Sequence, residues 1–597
     1  MRKHATARLL LALFALLATA TASAYQNFEV AVYCRAQEVV QMADPAWLER
    51  EWQRISSAVH VDKVYLEVHR DGVMPDAATL TAAKAFFAAR GVRTAGGITY
   101  TISEPNRFET FSYSTPAHRD RVRAIAEFAA RNFDEVILDD FFFTSAKTES
   151  DIRARGDRSW TDFRLKLMSD AGRELVVAPA KKVNPRVRVI IKYPNWYEHF
   201  QGLGFDLENG PRIFDGIYTG TETRDAVRSA QHLQPYHGYS IMRYFENLAP
   251  GHNGGGWVDP YASRGYARYA EQLWLTLFAK SGRQVTLFDW RSITQPLASG
   301  GDPLTAVQAA ARAFDAVDST IGALGQPLAL KSYKPFHSTG EDHLQSFLGM
   351  IGLPMEIVPK FPDADPLVLL TETAAADPQI VARIEKHLRS GKSVVITSGL
   401  LRALQPRGIS RIAEIEHTGR VALFSQFLTG FQMAESTQPV LIPQLAYRTN
   451  DSWELVSAVA GDNGWPLLHD ADYGGGHLFV LTVPENFADF YQYPAQPLNE
   501  IRRVLTSHLP VRIEAPAKVG LFVYNNGTFV VHNFRDEAVG VKAVFAHRPG
   551  TLSELGSGER VEVTGRQTPA RGSTPAAEAG VASFEVPAHS FRAFRLQ

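Results

Sequence analysis

Cysteine is almost absent from this chain of 597 residues: Cys34 is the single one, so no internal disulfide can form. Each domain must hold together by packing alone. Cys34 closes an apolar run, Glu29–Cys34, which makes it a small buried hydrophobe rather than a nucleophile. The motifs H-E-x-x-H, C-x-x-C and G-x-S-x-G are missing, and no glycine-rich phosphate turn follows the first apolar run. Asp470-Ala471-Asp472 lacks the later ligands of an EF-hand loop, and Gly474-Gly475-Gly476 is followed by no helical pattern. Catalysis would therefore rest on the chain's own side chains, with no cofactor and no metal. Charge of one sign is also lacking. With 62 basic and 63 acidic residues, neither a nucleic-acid surface nor an anionic membrane surface is implied. The opening residues carry a long apolar run, from Leu9 to about Ala18. It follows Arg2, Lys3 and Arg8 and precedes the A-x-A site Ala22-Ser23-Ala24, the pattern of a signal peptide over 1–24. Export to the periplasm or beyond is expected. No cysteine follows the cleavage site, so no lipid or membrane anchor is expected.

What is present from Tyr25 to about residue 325 is an alternation of short apolar runs with helical patterns. The runs Glu29–Cys34, Lys63–Val68, Arg93–Ile98, Glu135–Asp140, Arg188–Tyr193, Gly216–Tyr218, Gly238–Arg243 and Gln284–Asp289 read as strands. Eight strands alternating with helices over this length predict an α/β fold, a (β/α)8 or TIM barrel, over 25–325. In such a barrel the residues just past the strand ends share one mouth. They include Glu67, Tyr100, Asp139 and Asp140, then Lys192 and Trp196, Glu222, Arg243 and Glu246, and Asp289 and Trp290. A sugar presents apolar ring faces and a ring of hydroxyls, so carboxylates, a Lys, an Arg and aromatics converging on one mouth suit a carbohydrate substrate. Glycoside hydrolysis requires two carboxyl groups across the scissile bond, one protonated and one ionised. Asp139 or Asp140 after strand four and Glu222 after strand six meet that requirement. Glu67, Tyr100, Lys192, Trp196, Arg243, Glu246, Asp289 and Trp290 are the candidate substrate-binding residues.

The strand Val136-Ile137-Leu138-Asp139-Asp140-Phe141 resembles the fourth-strand motif of barrel glycoside hydrolases of the α-galactosidase-like clan. The resemblance implies an aspartate nucleophile at Asp139 and a proton donor after strand six, in the region of Glu222. That clan usually has Asp after strand six, and the Asn-Glu pair of the clan holding most β-galactosidases is missing from strand four.

Over 326–509 the pattern becomes a second α/β unit. Leu344–Leu353 and Asp377–Ser390 read as helices, and Pro366–Leu370, Lys392–Thr397 and His477–Thr482 as strands. It resembles the flavodoxin-like, amidotransferase-like domain that follows the barrel in three-domain bacterial β-galactosidases, with Gly391–Ile396 the nearest match. Lacking cysteine, it has no thiol nucleophile and is expected to be non-catalytic, shaping the cleft or joining copies into a homo-oligomer. Over 510–597 short alternating strands with an Asn525-Asn526-Gly527 turn predict an antiparallel β-sandwich, with Gly565–Gly580 as a surface loop. The expected function is glycoside hydrolysis of a poly- or oligosaccharide. The alternatives are a non-catalytic polysaccharide-binding protein and a polysaccharide lyase using Lys192, Tyr193 or an Arg.

Overall fold

A computed structural model describes residues 24–263, 265–297, 303–547, 550–568 and 577–596; residues 1–23 of the expected signal peptide lie outside them. Eight parallel strands close a barrel in chain order: β1 (Glu29–Cys34), β2 (Lys63–His69), β3 (Arg93–Ile98), β4 (Glu135–Leu138), β5 (Arg188–Tyr193), β6 (Gly216–Gly220), β7 (Asn253–Val258) and β8 (Gln284–Phe288). β1 pairs with β8, which closes the ring. The strands are nearly continuous in buried residues, because the barrel interior covers one face and the helices the other.

Seven strands fall where the apolar runs predict them, and the seventh does not. Gly238–Arg243 lies inside a helix, His237–Leu248, whose residues 237–245 are all buried. A short apolar run enclosed on every side carries no periodicity that separates helix from strand. The true β7, Asn-Gly-Gly-Gly-Trp-Val, has almost no β-branched or apolar content, and close approach explains it. A Cβ on Gly255 would stand 2.0 Å from the Gln284 carbonyl oxygen of β8, one on Gly254 would meet the Tyr218 ring at 2.4 Å, and one on Gly256 would meet Thr276 at 2.2 Å. Glycine is the residue that fits between such neighbours, and it erases the strand signal.

The second unit is one nine-stranded mixed sheet. Met355–Val358, Leu330–Tyr333, Leu367–Leu370, Ser393–Thr397 and Gly476–Leu481 run parallel, in the doubly wound manner expected. Four long antiparallel strands, between Ile415 and Tyr473, extend that sheet where the sequence reading has none. The chain ends in two antiparallel sheets, of six and four strands. Of the expected loop Gly565–Gly580, residues 565–568 and 577–580 belong to the paired strands Thr564–Thr568 and Ala577–Val586; the residues between them lie outside the described ones. Cys34 is free and buried, as its apolar setting predicts.

The units are tied together by buried polar contacts. Arg502, fully buried, donates to the carbonyls of Ile351, Ala515 and Pro516 and so joins the middle sheet to the C-terminal sheets. Glu271 of a barrel helix meets His532 and His589 of the C-terminal unit. No described helix is long and apolar enough to cross a membrane.

Candidate active site

Side chains along a parallel strand alternate between barrel interior and helix layer. Ala31, Tyr33, Tyr65, Ala95, Ile137, Ile190, Tyr218 and Trp257 form the interior cluster. Moving on in twos from these residues gives Arg35, Glu67, Thr99, Asp139, Lys192, Glu222 and Asp259 at the C-terminal mouth. Pleat and register alone thus deliver a polar layer on top of an apolar one.

Lys192 is its centre. Its ammonium nitrogen lies 3.0 Å from Asp140 Oδ2, 3.1 Å from Glu222 Oε1 and 3.5 Å from Asp139 Oδ1, and 4.6 Å from the centre of the Trp257 ring. Alternation predicts that only one of the paired aspartates enters the mouth; in the structure both reach Lys192. β4 ends at Leu138, and Asp140 N donates to Asp139 Oδ1 in a tight local turn that returns Asp140 towards the lysine. They are not equivalent. Asp139 is the floor residue, 3% exposed and bound by Arg70 Nη2 at 2.7 Å, whereas Asp140 keeps 17% of its side chain open to the cleft.

Protonation follows from these surroundings. Burial would raise the Asp139 carboxyl, but Lys192, Arg70 and the Asp140 amide together hold it below the usual range. For Asp140 burial wins: Lys192 opposes it, the neighbouring charges of Asp139 and Glu222 add to it, and the carboxyl is pushed up to about 7. Glu222 is also raised, by burial first, with Lys192 and Arg224 opposing and Asp259 adding. Lys192 stays protonated because three carboxylates outweigh its burial. One ammonium facing three carboxyl groups carries a surplus of negative charge, and a proton on Asp140 relieves it.

Glu222 is held from outside the barrel. Asn195 Nδ2 donates to the Glu222 carbonyl at 2.6 Å, the Asn195 carbonyl meets His237 Nε2 at 2.7 Å, and His237 Nδ1 meets Ser346 Oγ of the middle unit at 3.1 Å. A carbonyl can only accept, so His237 carries its proton on Nε2 and accepts from Ser346 at Nδ1. Burial pushes the His237 imidazolium down to about 3, which keeps the ring neutral.

The other expected site residues divide between the mouth and the rest of the barrel. Arg243 and Glu246 belong to the helix mistaken for the seventh strand. Arg243 pairs with Glu356 of the middle unit at 2.7 Å and with Ser281 and the Ala279 carbonyl before β8, while Glu246 accepts from Gly251 N before β7; both are at the opposite end of the barrel. Tyr100 is fully buried against Phe111 and Phe142. Trp290 is buried behind the strands, stacked on Trp52. Glu67 is at the mouth but buried beneath Arg70, accepting from Tyr33 and the Ala36 amide. Asp289 caps the short helix Trp290–Ile293 and accepts from Tyr261 and Ser292. Trp196 is half-buried on the rim, edge-on to Phe143.

Sequence reasoning misses Arg35, Arg70 and Asp259. Arg70 is one residue past the β2 end and binds Glu67, Glu104 and Asp139. Asp259 follows the glycine-rich β7 and is held by Arg224, Nε to Oδ1 at 3.1 Å and Nη2 to Oδ2 at 2.6 Å. Alternation continued past β1 and β7 reaches Arg35 and Asp259, whereas Arg70 stands in the opposite register to Tyr65 and Glu67 and is placed by the turn after β2, where it bridges Val73.

Residues 17–332, more than half of the chain, match the family described as "Probable glycosyl hydrolase, catalytic domain". The chain belongs to that family. Residues 510–596 of the hydrolase match "Probable glycosyl hydrolase, C-terminal domain", and residues 325–486 match the second domain of the uncharacterized protein SSO3021. That protein, from Saccharolobus solfataricus, is 24% identical over 532 residues, covering 80% of this chain and 86% of its own. Among solved structures, Gan42B, a GH42 β-galactosidase, superposes with a TM-score of 0.62 at 10% identity, over 97% of this chain and 100% of its own. A β-galactosidase from Rahnella sp. R3 gives 0.62 at 10%, over 96% and 100%. The three-unit glycoside hydrolase layout is therefore shared along essentially the whole length, and the chain is a glycoside hydrolase.

Proposed function

We propose that the enzyme is an exported, retaining hydrolase of a poly- or oligosaccharide, with Asp140 as proton donor and Glu222 as nucleophile. The observation that carries this is the shared lysine. Because Asp140 Oδ2 and Glu222 Oε1 both touch Lys192 Nζ, these oxygens are at most about 6 Å apart, near the roughly 5–5.5 Å of retaining enzymes and short of the 6.5–9.5 Å that leaves room for an inverting water. Asp140 is protonated near neutral pH and open to the cleft, as a donor must be. Glu222 faces it across the ammonium that favours its ionised form.

In the first step Glu222 attacks the anomeric carbon while Asp140 gives its proton to the departing glycosidic oxygen. Loss of the Glu222 charge on forming the ester removes one of the forces raising Asp140, so Asp140 becomes a better acid and remains ionised. In the second step it takes a proton from water, which attacks the anomeric carbon and frees Glu222. Asp139, fixed by Arg70, keeps Lys192 in place throughout. This division departs from the one implied by the α-galactosidase-like motif, which gives Asp139 the nucleophile's role and the donor's to Glu222.

A second reading makes Asp259 the nucleophile, since it follows β7 in the inward register of Trp257. Arg224 engages both of its oxygens and its side chain is only 3% exposed, which favours Glu222. The GH42 β-galactosidase fold makes β-galactosides the first substrates to assay. The test is a glycan panel read by new reducing ends. A new unsaturated product would mean elimination instead, and unaltered glycans would mean binding alone.

A further inference from the structure

The mouth carries a large aromatic side chain left open to solvent. Phe108 is 54% exposed, on the loop that follows β3. Arg107 and Phe108 both adopt the left-handed backbone, φ 55° and 54°, which bulky residues avoid. The loop is nonetheless fixed. Phe108 N donates to the Glu104 carbonyl at 3.1 Å, and the Glu104 carboxylate binds Arg70, the same guanidinium that holds Asp139. The ring lies flat against Phe141, centroids 5.5 Å apart and planes 19° apart, and Phe141 directly follows Asp140.

We propose that Phe108, with Phe141 behind it, is the stacking platform for the leaving-group sugar. The proposal rests on the role given above to Asp140. A donor must approach the glycosidic oxygen from the leaving-group side, so the aromatic wall next to it faces the unit being expelled. Pyranose rings present a face of C–H groups that packs on an aromatic face, and a ring more than half exposed beside a polar cleft offers that face. The ligand class is thus an oligosaccharide with a pyranose in the leaving position, in preference to a glycoside of a small alcohol.

The probes are matched pairs sharing one glycone: lactose with methyl β-galactoside, and cellobiose with methyl β-glucoside. Phe108→Ala should lower kcat/KM for the cleaved disaccharide by about three- to ten-fold, the worth of one aromatic contact, and leave the methyl glycoside unchanged. Phe108→Trp should restore the disaccharide. An equal effect on both members of a pair, or none on the disaccharide, overturns the platform. The disaccharide Kd is also measured by calorimetry on Asp140→Asn with and without Phe108→Ala. A Kd weakened by the same factor, in a protein whose wild type cleaves nothing, would keep the platform and sink the hydrolytic role of Asp140; an unchanged or undetectable Kd sinks the platform.

Discussion

Asp140 and Glu222, 82 residues apart in sequence, meet on a single ammonium nitrogen, Lys192 Nζ, at 3.0 and 3.1 Å. Both carboxyl groups are raised by burial and both are opposed by that lysine, yet Asp140 also feels Asp139 beside it. The result is an acid and a carboxylate made from two chemically similar groups by their neighbours.

Asp140→Asn should lower kcat on an unactivated glycoside by on the order of 10³-fold or more, and far less on a nitrophenyl glycoside whose leaving group needs no proton. The alkaline limb of the wild-type profile should fall near the pKa of about 7 and disappear in the variant. An alkaline limb that survives in Asp140→Asn would transfer the donor's role elsewhere.

The same group predicts a stability change. Its carboxyl is raised on folding, so as pH climbs from about 4 to about 7 the unfolded chain ionises Asp140 while the folded chain does not. Folding stability is lost across that window and the loss is complete above it. Asp140→Asn removes this cost, so the Tm difference between variant and wild type should grow from pH 4 to 7 and then level off. A constant difference would show that the carboxyl is not raised.

Lys192→Met removes the one force that lowers both carboxyl groups. Its pH profile should move to higher pH on both limbs, with a large fall in kcat at pH 7 as Glu222 becomes protonated. A fall in kcat with unmoved limbs would leave Lys192 a binding residue only.

His237 is neutral in the fold and its pKa is depressed to about 3, so the unfolded chain takes up a proton between about 6.5 and 3 that the folded chain does not. Stability should fall with acidification over that range, and His237→Gln should lessen the fall. Because the ring supports Asn195 and through it the Glu222 backbone, His237→Ala should lower kcat with KM little altered. An unchanged kcat would make the chain from Ser346 to Glu222 purely structural.

The barrel was legible because seven strands carry the apolar runs that burial on both faces demands. The seventh was not, because Gly254–Gly256 are set by close approach to β6, β8 and a helix, a tertiary demand that looks like a loop in sequence. That one error moved Arg243 and Glu246 to the mouth and hid Asp259. The paired aspartates, Lys192 and Glu222 were legible as strand-end residues, whereas their division of charge depends on Arg70, Arg224 and burial, which no local pattern carries. The four long strands between Ile415 and Tyr473 escaped because one edge face is left to solvent. Leu423, Met433 and Trp453 are exposed within these strands, which blurs the alternation a half-buried strand would present.

A retaining mechanism requires Glu222 to form the covalent bond to the sugar. A 2-deoxy-2-fluoro glycoside of the preferred sugar, bearing a dinitrophenolate leaving group, should trap that bond for mapping by peptide mass spectrometry. One glycosyl group per chain is expected, on the peptide containing Glu222, and none in Glu222→Gln. A label on Asp259 or Asp139 instead, or turnover with inverted product and no adduct, would remove Glu222 from the nucleophile's role.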